Sequence, residues 1–99
     1  MKRRRDRVGH RRLVKYINIT ETALNSISIS VDRSSHLFRA AEDVLSMVRA
    51  YLSDAKQFLE KGLYVDAFAC INYAHGWLDA GARIGLFNVV KNRNLFTLD

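Results

Sequence analysis

Four side chains on the third helical segment of this 99-residue chain could do chemistry together: Asn72, His75, Asp79 and Arg83. Their spacings of three, four and four put them on one stripe of a helix. Asp79 lies one turn from His75 and one turn from Arg83. A carboxylate between an imidazole and a guanidinium can orient the imidazole as a general base, or help the arginine hold an anion. The same stripe also serves as a hydrogen-bonding seam on an apolar helix, with Asp79 neutralising Arg83. No nucleophile, second base or glycine-rich phosphate loop accompanies it, so the expectation is no catalytic residue and no cofactor. An enzyme or ligand site at His75, Asp79 and Arg83 is the remote alternative.

Metal binding has less support. His10, His36 and His75 are far apart and lack paired ligand spacing. The single Cys70, among Ala69, Ile71 and Ala74, reads as a small apolar residue, and one cysteine permits no internal disulfide.

The second concentration of chemistry is basic. Residues 1–15 carry eight Lys and Arg against Asp6, whereas the remainder carries eight against nine acids. The whole positive excess of +6 therefore sits at one end. Lys2, Arg3, Arg4, Arg5, Arg7, Arg11, Arg12 and Lys15 are candidate phosphate contacts, since dense guanidinium groups bind nucleic-acid backbones through counterion release. No aromatic precedes Tyr16, which argues against base stacking. Val8, Leu13 and Val14 are too few apolar residues for a membrane-surface helix. The expected compartment is cytoplasmic, with no leader peptide and no membrane partner, because charged and polar residues interrupt the longest apolar stretch.

These groups need elements to carry them, and the chain has no proline to interrupt long helices. Leu13, Ile17, Thr20, Leu24, Ile27 and Val31 form a helical seam, predicting a first helix over about 12–28. Ile27–Val31 alternates with period two like a strand, but with no strand elsewhere to pair with it, a fraying helix end is expected. Asp32–Ser35 supplies turn and N-cap chemistry. Leu37, Ala41, Val44, Val48, Tyr51, Ala55 and Phe58, with Phe38, Leu45, Leu52 and Leu59, predict a broad-faced second helix over 36–61. Gly62 is its stop. The third helix is expected over 64–90, with packing rows Ala67–Ile71–Ala74–Leu78–Gly81–Gly85 and Cys70–Ala74–Trp77–Gly81–Ile84, its glycines allowing close helix approach. Residues 1–12 form a basic arm, 13–92 the bundle and 93–99 a tail. The fold class is all-α, an up-down-up three-helix bundle with antiparallel neighbours.

The third-helix string Tyr64-Val65-Asp66-Ala67, followed by Tyr73-Ala74-His75-Gly76-Trp77-Leu78-Asp79-Ala80-Gly81-Ala82-Arg83-Ile84-Gly85-Leu86, resembles the archaeal family called domain of unknown function 357. A weaker likeness extends to Tyr16-Ile17 and Thr22-Ala23-Leu24. The resemblance spans roughly 13–90 and implies a small three-helix cytoplasmic protein, with no activity attached. The functional expectation is a non-catalytic interaction module that binds another protein or a second copy through an exposed part of the Trp77 helix. The alternative is an RNA-associated accessory protein that uses the basic arm.

Overall fold

The structure, a computed structural model, describes residues 9–96. Three helices, α1 (His10–Leu24), α2 (His36–Glu60) and α3 (Tyr64–Arg83), run up, down and up. Two three-residue strands, β1 (Ile27–Ile29) and β2 (Phe87–Val89), and a 3-10 turn at Arg93–Leu95 complete the order. The all-α bundle expected from the periodicity is the fold. No helix among the described residues is long and apolar enough to cross a membrane.

Each helix buries the stripe its spacing marks. Leu13, Ile17, Thr20 and Ala23 go inward from α1; Ala41, Leu45, Val48, Leu52 and Ala55 from α2; Ala67, Ile71, Ala74, Leu78, Gly81 and Ala82 from α3. Leu13, Val48, Ile71 and Leu78 are almost fully sealed, and each such side chain contributes about 1.5–3 kcal/mol. Alanines at facing positions keep the helices close. The turn before α2 forms as its residues suggest: Asp32 accepts from the Ser34 amide and hydroxyl, and the Ser35 hydroxyl accepts from the Leu37 amide at 3.1 Å. These bonds hold the Asp32 carboxyl below its ordinary pKa, the backbone amide contributing most.

The helix limits differ from the sequence expectation at three ends. α1 begins at His10, so Arg11 and Arg12 belong to a helix and not to an arm ending at residue 12. It stops at Leu24, and Ile27–Ile29 is a strand after all. Its antiparallel partner is Phe87–Val89, in register Ile27↔Val89, Ser28↔Asn88, Ile29↔Phe87. The alternation that looked like fraying is a true inside-outside pattern, with Ser28 and Asn88 exposed. α3 ends at Arg83, not near residue 90.

Gly85 causes that stop. Its φ of +89° is the left-handed conformation, the Gly85 amide donates to the Ala82 carbonyl at 3.2 Å and the Leu86 amide to the Gly81 carbonyl at 2.9 Å. Gly62, with φ +74°, ends α2 by the same pair of bonds, from Gly62 to Leu59 and Leu63 to Phe58. Gly85 is therefore a helix terminator and not part of a close-packing row. Gly81 does permit a close approach, but to Phe87 of β2: a Cβ there would run into the Phe87 ring.

The chain after β2 folds back on the bundle. Asn92, at φ +58°, donates from its side chain to the Ser26 hydroxyl at 2.7 Å, and the Phe96 side chain is buried in the core.

Candidate functional site

His75 joins three parts of the molecule. Its Nε2 lies 2.9 Å from the Leu95 carbonyl and its Nδ1 3.1 Å from the Thr20 hydroxyl, with its ring stacked on Phe96 at 6.4 Å. A carbonyl only accepts, so Nε2 must carry a proton and donate. In the neutral ring Nδ1 then accepts from the Thr20 hydroxyl; in the charged ring it donates to the same oxygen. Thr20 is buried among apolar side chains, and His75 is the partner that satisfies its hydroxyl. The histidine thus fastens α1 and the 3-10 turn onto α3.

The rest of the polar stripe divides around it. Asn72 is exposed and, with His75, Thr20 and Tyr16, lines a cleft between α1 and α3. Asp79 is half-buried and Arg83 exposed, each with interactions of its own. Asp79 does not line the cleft that holds His75, and both imidazole nitrogens are committed to Thr20 and Leu95. A base at His75 would first have to give up one of those bonds. Among the described residues, no three of His, Cys, Asp and Glu come together as a metal site would need. His10 meets Tyr64 edge-on at 6.0 Å, and His36 is exposed at the start of α2. Cys70 is half-buried; burial first, then the nearby carboxylates of Asp54 and Asp66, push its thiol pKa up, which disfavours the thiolate.

Of the basic candidates, Lys2, Arg3, Arg4, Arg5 and Arg7 lie outside the described residues. Arg11, Arg12 and Lys15 are exposed on the first turns of α1. Arg12 lies over the Tyr16 ring at 5.6 Å and donates to its hydroxyl at 3.2 Å.

The feature the polar stripe concealed lies beside it, on the side of α3 turned away from the core. Val65, Ala69, Tyr73, Gly76, Ala80 and Ile84 follow one another at helical spacing and are all exposed, Val65 at 75%, Tyr73 at 53% and Ile84 at 73%. None of the six carries a charge. Gly76 and Ala80 floor a shallow apolar groove walled by Tyr73 and Trp77. The Tyr73 ring stands 4.8 Å from Tyr51 and 6.4 Å from Trp77, so it is held in place although half of it faces water. Trp77 itself is half-buried against the core edge. The sequence signal was available: a second apolar row across the helix from the buried one, with Gly and Ala at positions the core does not use.

The described residues thus form a three-helix bundle with a sealed inner row, a histidine cross-link and a second, exposed apolar row on one helix. By sequence the chain belongs to the family described as Protein of unknown function (DUF357), whose model matches residues 15–87. The match runs from the first turns of α1 through the Gly85 stop to the first residue of β2. No curated protein and no solved structure matches the chain.

Proposed function

We propose that this protein is a non-catalytic, cytoplasmic interaction module that binds another polypeptide through the outer face of α3. The observation that carries the reading is the exposed row from Val65 to Ile84, with its groove between Tyr73 and Trp77. Contiguous apolar surface of this kind marks contact sites on small proteins. The small residues at Ala69, Gly76 and Ala80 suit a partner helix, whose backbone can come close there. The fixed Tyr73 ring lowers the entropy lost on docking.

An archaeal RNA-associated accessory protein is the second reading, supported by Arg11, Arg12 and Lys15, which stand exposed on α1 and follow in sequence the five Lys and Arg of residues 1–8. The two make different predictions for one pair of variants. Ala80→Arg places a charge in the outer row, and Val90→Arg places one on an 84% exposed side chain outside it. Wild type and Val90→Arg should share their mass by light scattering and the proteins they capture, and Ala80→Arg should lose both associations while keeping its helical circular dichroism. Unchanged mass and capture in Ala80→Arg would remove the protein-interaction reading. Tight RNA binding by all three, with a slope of log K against log salt of about −3 to −4 for roughly five phosphate contacts, would put the RNA reading in its place.

A further inference from the structure

The outer row of α3 reads the same in both directions. Val65, Ala69, Tyr73, Gly76, Ala80 and Ile84 are spaced 4-4-3-4-4. Laid antiparallel on a copy of itself about the midpoint between Ala74 and His75, the row sets Val65 level with Ile84, Ala69 with Ala80 and Tyr73 with Gly76. We propose that the partner on this face is a second copy of the same chain, held by an antiparallel α3–α3 contact about a two-fold axis at that midpoint. The proposal rests on the outer face being a contact surface, and it adds the identity and register of the partner.

A two-fold contact must be self-complementary, because each copy presents the same patch to the other. Here the sizes match. Two alanines meet at each flanking level and let the backbones approach. At the centre, each tyrosine ring falls at a level where the other helix has only a glycine, and a Cβ at Gly76 has nothing within 4 Å in the isolated chain. A parallel pairing would set Tyr73 on Tyr73 and Gly76 on Gly76, a bulge beside a void.

Charge selects the same direction. Asp66 and Arg83 are exposed at opposite ends of the row, and they are mirror positions about the same midpoint. The antiparallel arrangement brings the acidic end of each helix alongside the basic end of the other, and it opposes the two helix dipoles. A parallel arrangement gathers like charges at both ends.

A single helix pair stays near or below the roughly 1,000 Å² that stable interfaces exceed. The dimer is therefore concentration-dependent.

Cysteine cross-linking reads the register directly. In a Cys70→Ser background, one preparation carries Ala69→Cys and another Ala80→Cys, both at exposed positions. In the antiparallel register residue 69 of one copy meets residue 80 of the other, within the about 7 Å between Cα atoms that a disulfide spans. Residue 69 of one copy and 69 of the other are about 16 Å apart along the helix, too far to join. Mild oxidation of the mixture should give a heterodimer in yield on the order of tenfold above either preparation alone, the single variants lacking a partner within disulfide reach. Scattering by the unsubstituted chain should rise with concentration toward twice the 11.4 kDa chain mass. Equal cross-linking of each variant with itself overturns the antiparallel register. A mass that stays at 11.4 kDa with no cross-link overturns the second copy as partner; if Ala80→Arg still abolishes capture of another protein, the contact face survives that result and only its occupant changes.

Discussion

The two sides of α3 are made of similar residues and have opposite surroundings. The inner row, Ala67, Ile71, Ala74, Leu78 and Gly81, is sealed by α1, α2 and Phe87; the outer row, Val65, Ala69, Tyr73, Gly76, Ala80 and Ile84, faces water. Composition hardly separates them, since both are apolar and both use Ala and Gly where neighbours come close. What separates them is that two other helices cover one row within the chain. Apolar periodicity therefore marks a row of similar side chains, and does not say whether the rest of the fold covers it.

The largest test of this contrast is a pair of glycines, one on each side. Gly81→Leu should destabilise by more than about 3 kcal/mol, because even a Cβ meets the Phe87 ring and overpacking a sealed site usually costs 1–3. Gly76→Ala should instead stabilise the isolated chain by about 0.5–1 kcal/mol through helix propensity, with open space around the new methyl. Denaturant midpoints would break the comparison if both substitutions moved stability in the same direction.

An intermediate effect is expected where the rows meet. His75→Ala leaves the buried Thr20 hydroxyl and the Leu95 carbonyl without their partner, a loss of about 1–3 kcal/mol. Hydrogen exchange should show the loss concentrated near Leu95 and Phe96. Uniform loss of protection would mean that the histidine supports the whole bundle and not the return of the C-terminal segment.

The smallest effect belongs to the turn before α2, which touches neither row. The Asp32 carboxyl titrates below its ordinary value when folded, so its stabilising contribution is present above that value and fades as pH falls through the folded pKa. The gap in urea midpoint between wild type and Asp32→Ala should be small at neutral pH and close in acid. A gap that persists at low pH would assign the effect to turn geometry and not to the carboxylate.

The stripes of α1, α2 and the inner side of α3, the Gly62 stop and the Asp32–Ser35 turn were legible because each depends on neighbours within a few residues. The β1–β2 pair was not. Ile27-Ser28-Ile29 carried a strand pattern, and its mirror, Phe87-Asn88-Val89, followed directly on Gly85, a residue type that ends helices. Taking Gly85 as a packing residue hid the partner strand, and without a partner the first strand looked like a fraying helix. The polar stripe was correctly placed on one side of α3, but its chemistry was not legible: Thr20 and the Leu95 carbonyl lie 55 and 20 residues from His75.

Three helices, their inward faces and their polarity follow from residue order alone, since helix periodicity and end signals are local properties. The folded arrangement is what makes His75 a cross-link, has Gly81 make room for a phenylalanine from a strand, and leaves an apolar row of α3 exposed among the described residues. Each of those facts depends on which distant segments arrive at the same place, and burial, hydrogen-bond partners and steric clearance exist only after they have.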